Sequence, residues 1–412
     1  MGNGRGRSAL QGWAIEAPII TGRPPGVEVA GRSSGAGRSG TGNHWGKNRD
    51  MSEFALRLLA WQREHGRHDL PWQGGGDPYP IWLSEIMLQQ TRVDTVIPYY
   101  QRFLARFPDL AGLAAAPVEE VMALWSGLGY YARARNLHRA AQVVMTEHGG
   151  AFPRNAATIA TLPGVGRSTA AAIAAFAYGE RGAILDGNVK RVLCRIFGIE
   201  GFPGNKAVEG RLWALAESLL PEHEPGRYIQ AQMDLGAMLC TRARPACARC
   251  PFQGDCIARR SGRIAELPAA RPKKAVPRRS ARFAVLIRGR EVLLERRPPA
   301  GIWGGLLALP EIPADAADPA AWVRGRTGLA CVEGASLAPL THTFTHFTLD
   351  IQPVLLRASS PAAAAAADDG ALHWQAFAAL EQAALPAAVR KILDAVADIE
   401  PFCTSGAGSS PR

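Results

Sequence analysis

The sequence predicts two folded domains, a mainly helical one followed by a smaller α+β one. Helical periodicity with proline stops runs from Ser52 to about Ala258, where strand patterns are scarce. A basic, proline-bearing stretch follows, after which residues alternate with the period of two that β-strands show. We therefore divide the chain into a disordered extension at 1–50, a helical domain at 51–258, a basic linker at 259–282, an α+β domain at 283–398 and a tail at 399–412.

The composition favours a polyanionic partner. The chain has 412 residues, of which 47% are hydrophobic, enough for the cores of two or three domains. Its net charge of +11 favours nucleic acid or an acidic membrane surface, and composition alone does not choose between them. The sequence has no apolar run of the roughly 18 residues that a transmembrane helix needs. Seven cysteines without a secretion signal indicate a reducing, cytoplasmic compartment.

The first 50 residues are rich in Gly, Arg and Ser and lack periodicity, which predicts disorder. Their one apolar stretch, Ala17–Ile20, is too short for a signal peptide. Met51 opens the first well-patterned helix, so we hypothesise that translation starts there. Near the other end, a six-alanine run at Ala362–Ala367 predicts a low-complexity loop.

Four cysteines form the most informative motif of the chain. They are spaced Cys240-x6-Cys247-x2-Cys250-x5-Cys256. Structural zinc sites usually have two Cys-x-x-Cys pairs separated by a longer loop. One tight pair with a single cysteine on each side is the looser spacing that holds a cubic iron–sulfur cluster. The spacing therefore favours a 4Fe–4S cluster, with a zinc knuckle as the alternative.

The segment Leu162–Gly179, LPGVGRSTAAAIAAFAYG, predicts a tight turn that leads into an alanine-rich helix. Gly164 and Gly166 permit positive φ and close approach of the backbone. The amides of Gly164, Val165 and Gly166 then lie near a helix N-terminus and can point at one DNA phosphate. This is a helix-hairpin-helix pattern, and the alternative is an ordinary joint between two helices.

Two carboxylates are candidates for acid–base chemistry. Asp186 precedes the helical stripe of VKRVLCRIF, where it can stabilise positive charge on a sugar or simply cap the helix. On its helix, Glu85 shares a face with Ile81, Trp82 and Leu88. A carboxyl among apolar neighbours has a raised pKa and can act as a general acid, whereas a solvated glutamate would not.

Five segments together carry a resemblance to a known family. In chain order they are LSEIMLQQT, LWSGLGYYARARNL, LPGVGRSTA, LDGNVKRVL and the four-cysteine loop. They resemble the MutY family of adenine DNA glycosylases, from about Ser52 to the end of the second domain. The resemblance implies a helix-hairpin-helix glycosylase domain with a 4Fe–4S cluster loop, plus a Nudix-like domain. It also implies hydrolysis of the glycosidic bond of adenine opposite 8-oxoguanine or guanine in double-stranded DNA, by a monomer working at the nucleoid.

The same resemblance implies residue roles. Glu85 protonates adenine and then helps water to attack, Asp186 stabilises the transition state, and Asn188 supports the site. Gln90 and Tyr130 insert into the base stack or pack beside it, which offsets the cost of flipping the base. The alternative for Tyr130 is a core aromatic. Arg133 and Arg135 are predicted phosphate contacts or parts of an exposed basic face.

Ser168 separates this family from its nearest relatives. Endonuclease III-like enzymes carry a lysine there, whose amine forms a Schiff base with the sugar. Serine cannot form an imine, so we expect a monofunctional glycosylase. Lys190, close to Asp186 in sequence, is a candidate for an adventitious reaction of that kind.

The second domain resembles a Nudix fold in RRPPAGIWGGLLALP, but the following stretch lacks a dense acidic box for magnesium. We therefore expect a recognition module. The family loop Phe-Ser-His, which contacts 8-oxoguanine, corresponds to Phe344, Thr345 and His346, and threonine adds a methyl group. The alternative is that His342 and His346 are plain strand residues.

Two other functions remain open. One is an iron–sulfur protein that binds DNA or senses redox state without catalysis, which would not need both Glu85 and Asp186. The other is a nucleotide-pool Nudix hydrolase with a helical accessory domain, against which the missing acidic box argues.

Overall fold

The computed structural model describes residues 49–272, 275–298, 301–344, 346–359 and 371–399. Most of the predicted disordered extension, the alanine loop at Ala362–Ala367, the recognition residue Thr345 and the tail lie outside them. The hypothesis about Met51 and the predicted domain limits therefore stay predictions.

The first part of the described chain is helical, as predicted, with short connections that often contain proline. The helices are α1 (Arg49–His65), α2 (Pro78–Leu88), α3 (Val93–Arg106), α4 (Leu110–Ala115), α5 (Val118–Trp125), α6 (Ala132–Glu147), α7 (Ala156–Ile159), α8 (Arg167–Tyr178), α9 (Gly187–Phe197), α10 (Lys206–Ser218), α11 (Pro225–Asp234) and α12 (Ile257–Arg260). A π-helical turn, Leu235–Leu239, continues α11 up to Cys240.

Helix α8 packs into two hydrophobic cores at once. Its small side chains allow close approach on both sides, and five alanines and one isoleucine of the helix are buried. One set faces the core that contains α2 and α3: Ala170, Ile173 and Ala174. The other set faces the core that contains α1, α9 and α11: Ala171, Ala172 and Ala175. The hairpin helix therefore fixes α2 relative to α9.

The second part folds around one mixed sheet. Its strands are β1 (Arg278–Arg288), β2 (Glu291–Arg296), β3 (Leu307–Ala308), β4 (Glu311–Ile312), β5 (Cys331–Ser336), β6 (Leu340–Thr343), β7 (Thr348–Ala358) and β8 (Leu372–Ala376). The order is β3-β2-β1-β7-β5, with β4 beside β1, β6 beside β7 and β8 beside β2. Only the β1–β7 pair is parallel among these pairings. Helices α13 (Pro319–Thr327) and α14 (Ala387–Ile399) complete the domain.

The predicted fold class, a mainly α domain followed by an α+β domain, is confirmed. The predicted hairpin at Arg288–Arg290 is the β1–β2 pair, and the second predicted strand pair is β6–β7. Strand β1 begins at Arg278, inside the stretch that we assigned to the linker. The sequence did not reveal this start because the first three residues of the strand are exposed and show no apolar alternation. In the described residues, no helix is long and apolar enough to cross a membrane.

Candidate active site and cysteine loop

Glu85 lies in the wall of a cavity of about 480 Å³. Helix α2 presents it there because its neighbours Trp82 and Ile86 are drawn into the core. The cavity is otherwise lined mainly by polar and aromatic groups, among them Gln62, His68, Trp72, Gln73, Phe176 and Gln230. A site of this size and lining fits a small planar molecule.

The protein environment raises the pKa of the Glu85 carboxyl to about 8. Burial is the larger cause, since desolvation disfavours the charged form, and the negative charge of Asp186 adds to it. Part of the side chain still meets the open cavity, so a molecule that fills the cavity completes the burial. At neutral pH the carboxyl therefore keeps its proton and can donate it.

Asp186 caps the N-terminus of α9, as its position predicts. One oxygen accepts a hydrogen bond from the Val189 amide at 2.7 Å, and the other accepts one from Asn188 Nδ2 at 3.2 Å. Burial raises the pKa of Asp186, while these hydrogen bonds and the charge of Arg191 oppose the rise. The observed helix cap leaves the charge-stabilising role possible, because both roles use the same carboxylate held in one orientation.

A chain of hydrogen bonds connects Asp186 to the cysteine loop. Asn188, which binds Asp186, accepts a hydrogen bond from Arg191 Nη2 at 2.8 Å. Arg191 also donates from Nε to the Cys240 carbonyl oxygen at 2.7 Å. Arg191 was not among the predicted site residues, although its position three residues after Asn188 on a helix was a usable signal.

Ser168 positions the chain just before Asp186. Its hydroxyl oxygen accepts a hydrogen bond from the Leu185 amide at 2.9 Å. Lys190, in contrast, points to Glu209, with its Nζ 2.6 Å from a carboxylate oxygen. The idea that Lys190 reacts at the site is therefore disfavoured, because its amine is already held in an ion pair.

The hairpin differs in detail from the expectation. Gly164 has φ of +79°, and a side chain there would meet Asn136 at 2.7 Å, so glycine is required. Gly166 is extended, with φ of −94°, and does not need the freedom of glycine. The Val165 amide donates to the Leu162 carbonyl oxygen at 3.1 Å. This bond disfavours the predicted phosphate contact from the Val165 amide, because the turn itself uses that amide.

Gln90 and Tyr130 are exposed, and each sits in a turn with positive φ. Tyr130 keeps 47% of its surface exposed, so it is not a core aromatic. Both expectations for Arg133 are wrong: it is 7% exposed, and its guanidinium donates to backbone carbonyl oxygens. Arg135 donates to the Gly304 carbonyl oxygen of the second domain rather than lying free on a basic face.

The four cysteines of the motif line one apolar cavity. No three His, Cys, Asp or Glu side chains in the described ranges are placed to hold a metal ion. The four thiols nevertheless share one cavity, which is what a metal centre held by four thiolates requires. Burial raises the pKa of Cys250 to about 11, so its thiol keeps its proton at neutral pH unless a bound metal stabilises the thiolate. Thiolates are the ligands that iron–sulfur clusters require, so the donor set fits.

Aromatic rings surround the predicted recognition loop. Phe344 stacks on Phe347 with ring centroids 4.5 Å apart, and His342 packs edge-on against Phe344 at 4.7 Å. His346 is exposed and contacts Phe347, while Arg279 lies over the Phe347 ring. His342 does belong to strand β6, whereas His346 lies between strands.

Replacing Glu85 by Gln should raise the free energy of unfolding by up to about 3 kcal/mol at pH 7, because pH 7 lies 2.5 units above the ordinary pKa of 4.5. Above its ordinary pKa of 4.5, Glu85 ionises in the unfolded chain but keeps its proton in the folded one until pH about 8. The wild type therefore loses stability between these values, and the advantage of Glu85→Gln should grow over the same window. Urea unfolding at several pH values measures it.

The matched control is Glu64→Gln, since the Glu64 side chain is 77% exposed. It should change stability little at any pH. A Glu85→Gln variant that is less stable than the wild type at pH 7 would contradict the buried, protonated carboxyl.

Comparisons with known proteins identify the family. The model of HhH-GPD superfamily base excision DNA repair proteins matches residues 83–218, and the NUDIX domain model matches residues 282–395. The adenine DNA glycosylase of Buchnera aphidicola subsp. Acyrthosiphon pisum is 36% identical over 304 residues, covering 74% of this chain and 86% of that protein. The adenine DNA glycosylase of Mus musculus is 37% identical over 404 residues, covering 83% and 78%.

The adenine DNA glycosylase of Homo sapiens is 34% identical over 408 residues, covering 84% of this chain and 74% of that protein. These matches extend over both domains and most of each relative. The chain therefore belongs to the MutY family of adenine DNA glycosylases, base excision repair enzymes that hydrolyse N-glycosidic bonds.

Proposed function

We propose that the enzyme removes adenine mispaired with 8-oxoguanine or guanine from double-stranded DNA, without a strand-cleaving step of its own. The observation that carries the proposal is Glu85, a carboxyl with a pKa raised to about 8 in the wall of a cavity of about 480 Å³, large enough to admit a base. Such a group donates a proton to a leaving base at neutral pH. We propose that the enzyme acts as a monomer on chromosomal DNA in the cytoplasm.

In the proposed mechanism, Glu85 protonates the adenine ring, which makes the base a better leaving group. Positive charge then grows on the sugar, and Asp186 stabilises it. Asn188 and the Val189 amide hold the Asp186 carboxylate in place, while Ser168 fixes the preceding residue. Glu85, now ionised, accepts a proton from the attacking water. Ser168 has no amine, so no imine with the sugar forms.

Adenine must leave the base stack to reach the cavity. Gln90 and Tyr130 are proposed to enter the space that it vacates, and their exposure supports this role. The amides of Gly164 and Gly166, at the N-terminal end of α8, are proposed to hold a phosphate, because Val165 has already used its own amide.

A 4Fe–4S cluster is proposed to bind Cys240, Cys247, Cys250 and Cys256. When bound, it supplies a cross-link that makes the loop rigid, and glycosidic hydrolysis needs no redox change. Exposed arginines lie in or beside the loop, which suits contact with DNA: Arg242, Arg244 and Arg249.

The second domain is proposed to recognise the base opposite adenine through Phe344, Thr345 and His346. The aromatic cluster around Phe344 supports this role, since rings stack on bases. A pyrophosphatase role is disfavoured because three glutamates of the domain are already paired with arginines: Glu291, Glu295 and Glu311.

The function is tested with duplexes that carry one adenine opposite 8-oxoguanine, guanine or thymine. We expect strand breakage only after hot alkali, fastest opposite 8-oxoguanine and negligible opposite thymine. Glu85→Gln should abolish base release but keep duplex binding, because the amide lacks the acidic proton. Breakage without alkali would indicate a lyase, and intact DNA in every arm would favour the binding or redox-sensing alternative.

The cofactor is tested by chemical analysis of the purified protein. About four iron and four sulfide ions per chain are expected. One zinc ion per chain, with little iron, would instead support the zinc knuckle.

A further inference from the structure

The backbone is strained at two exposed residues, Gln90 and Tyr130, which the proposed function assigns to the base stack. Gln90 has φ of +60° and Tyr130 has φ of +49°. Residues with a Cβ rarely adopt this conformation, which persists only where the surroundings impose it. Something in the structure must therefore hold each turn.

One buried guanidinium contacts both turns. On one side, Arg133 Nη1 donates to the carbonyl oxygens of Ile86 at 3.0 Å and Met87 at 2.7 Å, at the end of α2 just before Gln90. On the other side, Nη2 donates to the carbonyl oxygens of Leu128 at 3.3 Å and Gly129 at 3.1 Å, just before Tyr130.

A further bond and two ring contacts complete this arrangement. Arg133 Nη2 donates to Thr91 Oγ1 at 3.0 Å, directly after Gln90. The guanidinium also lies 5.3 Å from the Trp125 ring centroid and 5.5 Å from the Tyr130 ring centroid. The guanidinium thus contacts the Gln90 turn on both sides of Gln90. It contacts the Tyr130 turn through two backbone carbonyl oxygens and through the Tyr130 ring.

The chemistry of this site requires arginine. Carbonyl oxygens at the end of α2 carry partial negative charge, which a buried cation complements. The guanidinium is planar and has several donors at fixed angles, so it can serve two backbone segments at once. Lysine keeps the charge but presents it as a single point on a flexible stem, and cannot fix two segments in the same way.

We infer that Arg133 is a positioning residue that holds the Gln90 and Tyr130 turns at one fixed separation, so that both side chains enter the base stack together. The inference rests on the proposed function, because it needs these two residues to act on stacked bases. Loss of the guanidinium lets each turn relax independently. The flipping of a stacked adenine then becomes rarer, while the chemistry at Glu85 is unchanged.

The test compares Arg133→Lys with the wild type on two duplexes under single-turnover conditions. One duplex carries adenine opposite 8-oxoguanine, and the other carries adenine opposite an abasic spacer, where the base is already unpaired. We expect Arg133→Lys to lose between about tenfold and a hundredfold on the first duplex. On the second it should stay close to the wild type, because less work is needed to flip the base.

The ratio of the two rates does not depend on how much of the variant is folded, so partial misfolding cannot imitate the result. Thr91→Val, which removes a single acceptor, should show the same pattern with a smaller loss. Arg102→Lys is the matched control, since Arg102 is exposed on α3 and stacks on Tyr99. It should leave both rates unchanged.

Two further measurements decide the inference. In a Gln90→Ala, Tyr130→Ala background, Arg133→Lys should have little added effect, because it acts through those side chains. A 2-aminopurine beside the mispair should brighten on binding of the wild type and much less with Arg133→Lys. Equal losses on both duplexes, multiplicative losses in the double-alanine background, or unchanged brightening would each overturn the inference. If the wild type excises no adenine yet brightens the probe in an Arg133-dependent way, only the proposed function fails.

Discussion

The packing of α8 between two cores is the constraint on which the rest of the structure depends. Glu85 belongs to α2 in one core, and Asp186 precedes α9 in the other. The alanines of α8 pack against both, so the separation of the two carboxyls is set by short side chains with no rotamers to vary. The glycine hairpin begins the same helix, so the proposed phosphate contact and the two carboxyls share one rigid element.

The site also depends on placing two carboxyls where water is scarce. Burial raises the pKa of both, and the negative charge of Asp186 makes ionisation of Glu85 still less favourable. Their surroundings then make the two carboxyls differ, because only Asp186 is described with groups that oppose the rise of its pKa. These are the hydrogen bonds from Val189 and Asn188 and the positive charge of Arg191. For Glu85, burial and the negative charge of Asp186 both raise the pKa. Glu85 is thereby suited to give a proton, while the hydrogen bonds and the nearby Arg191 favour the anionic form of Asp186.

Local pattern was enough to predict the fold class and to mark Glu85 and Asp186 as candidates, whereas the resemblance to the MutY family supplied their roles. An apolar stripe around Glu85 and an N-cap position for Asp186 are both visible within a single helix. The contacts of Arg133 and Arg191 were not visible, because they join residues 46 and 49 positions apart, at Met87 and Cys240. Arg133 does continue the buried stripe of Leu137 and Val144, a sign that it faces inward.

The most direct test of the account is the pH dependence of adenine release in a single turnover, with enzyme in excess over a duplex carrying adenine opposite 8-oxoguanine. A buried acid at Glu85 predicts a plateau near neutral pH and a decline above pH about 8, approaching tenfold per pH unit. At acidic pH the rate should fall again as Asp186, whose pKa is also raised, takes up a proton. A rate that rises through pH 8 would contradict the account, because it would mean that Glu85 must lose its proton before the bond breaks.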